Sequence, residues 1–214
     1  MGHDLRVTEI FYSLQGEART VGWPTVFVRL TGCPLRCHYC DTAYAFHGGE
    51  RLSLTAVLLK VKAYHPRFVT LTGGEPLVQP AAPFLLEALC DEGYEVSLET
   101  SGALPITGLD PRVNVVLDLK TPGSGEVARN LYANLDHIRP RDQVKFVITN
   151  EEDYRWACEM TRKYALTERC EPLFSPAFET LPAATLADWI LRDRLAVRFQ
   201  VQLHKVLWGD ARGR

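Results

Sequence analysis

The sequence predicts an α/β fold, an incomplete and therefore open TIM-like barrel of about six parallel strands. Three observations support this prediction. Short apolar runs alternate with helical segments along the chain, as in repeated βαβ units. The chain has 214 residues, whereas a closed eight-stranded barrel typically takes about 250 residues. Polar motifs follow the predicted strands at their carboxyl ends, where the sites of such folds lie.

The predicted parallel strands are apolar runs bounded by turn residues. They cover 24–31, 67–74, 94–100, 113–120, 142–150, 172–176 and a last strand over 197–205. The helical segments between them have apolar residues at helical spacing. They cover 52–65, 80–93, 126–135, 151–165 and 181–193. Ser53 is a candidate N-cap of the first helix, and Gly93 is expected to end the second.

The composition favours one globular domain over residues 1–214, because 46% of the residues are apolar. The 24 basic and 26 acidic residues nearly cancel, so the charge does not indicate a nucleic acid or an acidic membrane as partner. The first residues lack the pattern of a signal peptide, and the apolar runs are too short to span a membrane. We therefore expect a cytoplasmic protein with reduced cysteines.

Three cysteines lie close together directly after the first predicted parallel strand. Cys33, Cys37 and Cys40 stand in TGCPLRCHYCDT with the spacing C-x3-C-x2-C. A structural zinc site is closed by four ligands, and iron–sulfur clusters are usually held by four cysteine thiolates. Three thiolates would leave one iron of a [4Fe–4S] cluster open to a small molecule. The spacing therefore favours a cluster that performs chemistry.

A zinc site is the alternative interpretation of this loop. His38 lies inside the loop and His47 follows it, so a Cys3His site is conceivable. Structural zinc sites usually place their ligands as two separated pairs, and no second pair follows here. The other cysteines are scattered singly, which does not suggest disulfides; they are Cys90, Cys158 and Cys170. A zinc-stabilised binding module without enzymatic activity stays open as an alternative.

A second motif, TLTGGEP, covers residues 70–76 at the end of the next predicted strand. Its two glycines let the backbone approach a ligand closely, and Glu75 can accept hydrogen bonds from an ammonium group. An ordinary turn between a strand and a helix uses the same residues, so the glycine pair alone is unspecific. Its position behind the cysteine loop favours a ligand-binding turn.

The cysteine spacing and the GGEP turn together resemble the radical S-adenosylmethionine (SAM) superfamily, in which the open iron chelates the amino and carboxylate groups of SAM. The run YSLQGEARTVGWPTVFVRLTGCPLRCHYCDT and the later ETSG and QLHK segments resemble the 7-carboxy-7-deazaguanine synthase family. The resemblance implies an open barrel of the radical SAM type. An activase of glycyl-radical enzymes would share the cysteine loop and the GGEP turn, and is the alternative enzyme.

The resemblance implies a carbon–nitrogen lyase of queuosine or 7-deazapurine biosynthesis. Such an enzyme converts 6-carboxy-5,6,7,8-tetrahydropterin to 7-carboxy-7-deazaguanine with loss of ammonia. The implied cofactors are a [4Fe–4S] cluster, SAM and Mg²⁺, and the implied partners are an external electron donor and a second copy of the chain in a homodimer. The cofactor performs the difficult chemistry, so no catalytic side chain is expected beyond it.

The resemblance also implies site residues. The cluster ligands are Cys33, Cys37 and Cys40, and the magnesium ligand is Thr42. The substrate-binding residues are Leu14, Gln15, Gly16, Arg29 and Thr72. The SAM-binding residues are Tyr39, Cys40, Asp41, Gly74, Glu75, Asp118, Leu119 and Lys120. No firm role follows from the sequence for Glu17, Ser175–Phe178, His204, Lys205 or the closing GDARGR segment.

Three of these expectations have a physical basis or a qualification. Arg29 lies inside the apolar run VFVRL, and a guanidinium can bind a substrate carboxylate in bidentate fashion. Thr42 alone is a poor magnesium site, but Mg²⁺ keeps waters and accepts substrate oxygens as ligands. The Asp118–Lys120 segment reads Asp-Leu-Lys, whereas related members often carry Ser-Pro-Lys, so its side-chain roles depart from the family pattern.

Overall fold

The computed structural model describes residues 4–214, and in this range the strands form one sheet. The strands are β1 (Asp4–Leu14), β2 (Pro24–Leu30), β3 (Glu50–Ser53), β4 (Phe68–Gly73), β5 (Glu95–Thr100), β6 (Asn114–Asp118), β7 (Gln143–Ile148), β8 (Glu171–Pro176) and β9 (Arg198–Phe199). Their order across the sheet is β3-β1-β2-β4-β5-β6-β7-β8-β9.

The parallel part of the sheet confirms the predicted open barrel. Each neighbouring pair from β2 through β4, β5, β6, β7 and β8 to β9 is parallel. The last of these strands, β9, has only two residues. The two edge strands of the described sheet, β3 and β9, do not pair with each other, so the barrel stays open.

Short helices connect the strands. They are α1 (Leu54–Lys62), α2 (Ala82–Asp91), α3 (Glu151–Lys163), α4 (Leu166–Arg169), α5 (Ala183–Arg192) and α6 (Leu203–Trp208). The predicted cap of α1 is confirmed, because the Ser53 hydroxyl accepts a hydrogen bond from the Ala56 amide at 3.2 Å. Gly93 follows α2 with φ +88°, the left-handed conformation that glycine adopts without strain after a helix.

The prediction of a helix over 126–135 is wrong. This stretch contains two 3₁₀ turns, Val127–Arg129 and Tyr132–His137, on either side of Asn130. The Asn130 side chain accepts a hydrogen bond from the Lys120 amide at 2.9 Å and donates one to the Lys120 carbonyl at 2.8 Å. This pair of bonds holds Asn130 in an extended conformation, which a continuous helix does not allow.

Two further elements differ from the sequence-based expectation. β1 was not predicted; it pairs antiparallel with β2 and β3 and so adds an antiparallel edge to the parallel sheet. The predicted strand over 197–205 is wrong beyond Phe199, because α6 begins at Leu203. The Leu203 amide donates to the Gly16 carbonyl at 2.9 Å, so the chain turns away from the sheet to meet the loop after β1.

Alternate side chains of the parallel strands face opposite sides of the sheet. One set is apolar and packs against the helices, including the fully buried Leu71, Leu98 and Phe146. The other set faces the interior of the barrel and includes polar residues such as Thr70 and Lys145. In the described part of the chain, no helix is long and apolar enough to cross a membrane. The fold thus places a polar interior beneath the carboxyl ends of the strands.

Candidate functional site

A cavity of about 330 Å³ opens at the carboxyl ends of the parallel strands. The cysteine loop forms one wall of it. The loop residues on this wall are Cys33, Leu35, Cys37, Tyr39, Cys40, Asp41 and Thr42. The ends of β4, β5, β6 and β7 form the floor, and residues from 177 to 210 cover the remaining side. The motifs predicted to lie together therefore do so.

The three clustered cysteines are free thiols on the same wall of the cavity. Burial raises the pKa of Cys33 and raises the pKa of Cys37 to about 11, and the neighbouring thiols add to both shifts. Thiolates at these positions consequently need compensating positive charge, which iron supplies when it binds. The three cysteine side chains thus fit a group that takes three thiolates.

The donor set fits a cluster better than a single ion. Within residues 4–214, no group of three or more His, Cys, Asp or Glu side chains is close enough to hold one metal ion. A four-iron cluster is bound at separate iron atoms, so its three thiolates need not converge on one point. His38 does not join the thiols; its ring lies against Gly125, where an added Cβ would be 2.8 Å from the ring.

The turn that follows β6 holds the cysteine loop in place. The Arg36 amide donates to Glu126 Oε1 at 2.5 Å, and the His38 amide donates to the Ser124 carbonyl at 3.0 Å. This turn is anchored in its own right, because the Gly123 amide donates to Asp153 Oδ1 of α3 at 2.7 Å. The loop has little regular structure, but backbone hydrogen bonds fix its position.

The two glycines of the GGEP turn allow a close approach to the cysteine loop. A Cβ on Gly74 would lie 2.2 Å from the Gly32 carbonyl oxygen, and one on Gly73 would lie 2.5 Å from that of Leu30. Any other residue at these positions would push the turn away. Gly73 and Gly74 both line the cavity, so their backbone is available to a ligand.

Glu75 has a different position from the one expected of a residue that binds SAM directly. Its side chain is fully buried and does not line the cavity. Its carboxylate accepts hydrogen bonds from the Thr100 hydroxyl at 2.9 Å and from the Ser101 amide and hydroxyl at 2.6 Å. The Leu77 amide donates to it at 2.9 Å. Glu75 therefore ties the GGEP turn to the end of β5.

The five predicted substrate-binding residues come together. A smaller cavity of about 60 Å³ adjoins the main one, and its walls include Leu14, Gln15, Gly16, Arg29 and Thr72. Arg29 and Thr72 line both cavities, and so do Glu17, Glu99 and His204. The Gln15 amide is engaged within the protein, since it donates to Thr70 Oγ1 at 3.1 Å and to Glu99 Oε1 at 3.3 Å.

Arg29 lines both cavities, but it already has a carboxylate partner. Its Nε donates to Glu9 Oε1 at 2.8 Å, and the Tyr44 hydroxyl donates to the same oxygen at 2.8 Å. Glu9 lies directly opposite Arg29 in the pairing of β1 with β2. The burial of this guanidinium is therefore balanced without a ligand, and Glu9 orients the group beside the cavity.

The segment after β6 contributes alternate residues to the cavity. Asp118 and Lys120 line it, whereas the Leu119 side chain is in the core and its amide donates to the Lys145 carbonyl at 2.9 Å. The Tyr39 ring lies 5.7 Å from the Lys120 ammonium, and burial raises the pKa of its hydroxyl. That hydroxyl is buried and has no hydrogen-bond partner among the described residues.

The predicted magnesium ligand lies at the rim of the main cavity. The Thr42 hydroxyl donates to Asp41 Oδ1 at 2.7 Å, and both residues line the cavity. The pair offers a hydroxyl oxygen and a carboxylate, which are ligands suited to Mg²⁺ when waters and substrate oxygens complete the shell. Thr42 thus lies on the same wall of the cavity as the cysteine loop, two residues after Cys40.

Residues near the carboxyl end of the chain close the cavity. Gln202 Nε2 donates to Glu17 Oε1 at 2.9 Å, and the His204 ring lies against Gly16, where an added Cβ would be 2.1 Å from Nδ1. Lys205 lines the cavity and pairs with Asp210 at 2.6 Å. Of the Ser175–Phe178 stretch, only its last two residues, Ala177 and Phe178, reach the cavity.

From the sequence, no role follows for several residues in or beside the site, above all Glu9, Glu99 and Lys145, although Glu99 begins the ETSG segment that is part of the family resemblance. Burial and the neighbouring carboxylate of Glu17 raise the pKa of Glu99, which accepts a hydrogen bond from Thr72 at 3.0 Å. Lys145 had a readable signal, because it lies inside the apolar run VKFVI just as Arg29 lies inside VFVRL. Glu9 had none, since β1 was not predicted.

Comparisons with known proteins agree with this geometry. The model of the Radical SAM superfamily matches residues 27–169. A 7-carboxy-7-deazaguanine synthase of Chlorobaculum tepidum is 44% identical over 213 residues, covering 98% of this chain and 97% of that protein. A 7-carboxy-7-deazaguanine synthase of Koribacter versatilis is 40% identical, and the match covers 95% of this chain and 97% of that protein.

Solved structures give the same fold. QueE from Escherichia coli superimposes with a TM-score of 0.76 at 22% identity, covering 94% of this chain and 95% of that one. SuiB from Streptococcus suis, bound to S-adenosylmethionine, superimposes with a TM-score of 0.57 and covers 80% of this chain and 45% of its own. At these identities the likeness supports the open barrel and no more.

Proposed function

Because the chain belongs to the 7-carboxy-7-deazaguanine synthase family of the radical SAM superfamily, we propose that it converts 6-carboxy-5,6,7,8-tetrahydropterin to 7-carboxy-7-deazaguanine with loss of ammonia. One observation carries the proposal beyond family membership. The cysteine loop and all five predicted substrate-binding residues line two adjoining cavities that share Arg29 and Thr72. A substrate held by those residues would lie beside the cofactor.

The cofactors of this enzyme are a [4Fe–4S] cluster and SAM, which together supply the radical that starts the reaction. Cys33, Cys37 and Cys40 would hold the cluster. We propose that SAM is bound by the backbone of Gly74 and by the side chains of Tyr39, Asp41, Asp118 and Lys120. Cys40 and Leu119 belong to the same two segments of chain and are also proposed to lie beside SAM. Glu75 acts on SAM indirectly, since its carboxylate fixes the turn that contains Gly74.

The chain's own residues bind and orient the substrate. Arg29, held from behind by Glu9, presents its guanidinium to the substrate carboxylate. Leu14, Gln15, Gly16 and Thr72 contact the pterin ring in the smaller cavity. Thr42 binds Mg²⁺ together with substrate oxygens. Holding the reacting carbon next to the cofactor favours the reaction over competing ones.

The wider setting of the enzyme follows from the same reasoning. The substrate is a small molecule, and an external donor supplies electrons to the cluster. The product serves queuosine or 7-deazapurine biosynthesis. We propose that the chain acts as a single domain over residues 1–214, works in the cytoplasm and forms a homodimer. The family relatives do not favour the activase of glycyl-radical enzymes or the zinc-stabilised module.

An anaerobic assay tests the proposal. Protein with a reconstituted cluster is incubated with 6-carboxy-5,6,7,8-tetrahydropterin, SAM, Mg²⁺ and a chemical reductant. We expect 7-carboxy-7-deazaguanine and ammonia in equal amounts, and about four irons per chain in the protein. Cleavage of SAM without consumption of the pterin would overturn the proposed substrate. Stoichiometric zinc with no iron after anaerobic purification would overturn the enzyme assignment altogether.

A further inference from the structure

Four side chains of alternating charge form a row across the floor of the main cavity. The row runs from Glu17 to Lys145, then to Asp118 and to Lys120, and all four side chains are between 10% and 14% exposed. The distances between successive charged atoms are 2.7 Å, 3.3 Å and 3.1 Å. Each of the four residues lines the cavity. We call this set the charge row.

Lys145 is the member of the charge row that joins its two ends. Its side chain rises from β7 next to Asp118 of β6, because the two residues are register partners in the parallel pair. Its ammonium donates to Glu17 Oε2 at 2.7 Å and lies 3.3 Å from Asp118 Oδ2. Glu17 belongs to the front loop with Gln15 and Gly16, whereas Asp118 belongs to the segment proposed to contact SAM.

Pairing keeps Glu17 and Lys145 ionised despite their burial. Burial alone would raise the pKa of Glu17, but the Lys145 ammonium and its hydrogen bond outweigh this and hold the pKa at about 2. Burial alone would lower the pKa of Lys145, but Glu17 and Asp118 raise it well above its usual value. Removal of one partner would therefore leave a buried charge without compensation.

One acceptor of the charge row is left over. Asp118 Oδ2 receives both lysines, and Glu17 is satisfied at both oxygens by Lys145 and Gln202. Asp118 Oδ1 is buried and has no hydrogen-bond partner within residues 4–214. Buried acceptors normally have a partner. Asp118 lines the cavity, and Lys145 and Lys120 are the side chains that hold its carboxylate there.

We propose that Lys145 is a positioning residue that fixes Glu17 on the substrate side and Asp118 on the SAM side of the cavity in one arrangement. This inference rests on the proposed function, which assigns the two sides. It adds a residue that no cofactor or substrate motif contains. Its consequence is that one ammonium group sets the geometry of both binding sites.

The first test replaces the ammonium by an apolar group of similar length. Lys145→Met is compared with Lys62→Met, whose lysine forms an exposed pair with Glu92 at 3.6 Å. SAM and substrate affinities are titrated separately on cluster-loaded protein, and 5′-deoxyadenosine is counted per product molecule. We expect Lys145→Met to weaken both affinities about tenfold and to raise that ratio, and Lys62→Met to stay within about twofold of the wild type.

A purely structural role gives a different result. In that case Lys145→Met lowers the melting temperature, while the folded protein binds SAM and substrate as the wild type does and forms no excess of 5′-deoxyadenosine. This outcome overturns the proposal. If the wild type makes no product, the proposed function fails, but the SAM titrations of wild type and variant still decide the role of Lys145.

A second variant covers the case in which Lys145→Met does not fold. Glu17→Gln with Lys145→Met removes one negative and one positive charge together and leaves the pair of Asp118 and Lys120 intact. We expect this double variant to fold, to keep its iron and to bind SAM about tenfold more weakly. SAM affinity equal to the wild type overturns the proposal. Failure of both variants to fold does so too, because it assigns Lys145 to stability.

Discussion

The cysteine loop and the charge row line the same cavity, but the chain builds them in opposite ways. The three cysteines lie within residues 33–40, are partly or fully exposed, and belong to a loop without strand or helix. The charge row is buried and lies on or beside strands, and its bonded pair Glu17 and Lys145 is 128 residues apart. The three cysteines are close together in the sequence before the chain folds, whereas the charge row forms only once the sheet has brought its members together.

Removal of a cysteine from the loop should have the largest effect. Cys37→Ala is expected to abolish iron binding and activity, because two thiolates cannot replace the three that the cluster needs. Iron content and the visible absorption of anaerobically prepared protein measure this. Cys90→Ala serves as the matched control, since Cys90 is buried in the core away from the cavity. Loss of iron in the control would contradict the ligand assignment.

Acid should act on the charge row through Glu17. Its pKa of about 2 in the folded protein lies below its ordinary value of 4.5. The carboxylate therefore stabilises the fold fully above pH 4.5, and this contribution of up to about 3 kcal/mol is lost as the pH falls to 2. Glu17→Gln should lack this part of the pH dependence of the free energy of unfolding.

Unfolding is measured by denaturant between pH 5 and pH 2 on iron-free protein, because acid would release iron from the cluster. Glu152→Gln on the exposed side of α3 is the control. Parallel pH profiles for the wild type and Glu17→Gln would contradict a Glu17 that is held ionised by Lys145.

Arg29 lines both cavities, and its substitution tests how the substrate is held. Arg29→Ala should weaken substrate binding by about 1.5–3 kcal/mol, the range of a charge-assisted hydrogen bond. Arg29→Lys should recover only part of this, since a single ammonium cannot replace the planar fork. Substrate titration provides the measurement, and cluster content and SAM cleavage without substrate should persist.

Arg51→Ala is the matched control for Arg29, because its exposed guanidinium pairs with Asp4 at 3.7 Å outside the cavity. Unchanged substrate affinity in a folded Arg29→Ala protein would confine Arg29 to its ion pair with Glu9. The residue that binds the substrate carboxylate would then have to be sought elsewhere in the two cavities.

Thr42 should have the smallest of these effects. On enzyme freed of divalent ions, added Mg²⁺ is expected to raise activity, and Thr42→Ala should reduce this response severalfold, since waters and substrate supply the other ligands. Iron content should not change. Thr55→Ala, on the exposed side of α1, is the control. Equal activity with and without the metal in the wild type would remove magnesium from the site.

The same contrast explains what the sequence alone could predict. The cysteine loop lies where its motif indicates, on the wall of the cavity. The parallel strands from β2 to β8 and the cap at Ser53 depend on neighbouring residues and were predicted correctly. The helix over 126–135 was not, because Asn130 bonds to the distant backbone of Lys120. Glu9 and the charge row depend on pairing between strands, which local patterns do not reveal. Lys145 was visible as a lone charge in an apolar run, but its partners were not.

The contact between the front loop and Gln202 also has a consequence for biosynthesis. Gln202 lies 185 residues after Glu17, so a ribosome needs roughly ten to forty seconds of further synthesis before the two can meet. The three cysteines leave the ribosome long before that moment. The nascent chain therefore presents its cysteine loop before the residues near the carboxyl end that line the cavity have been made.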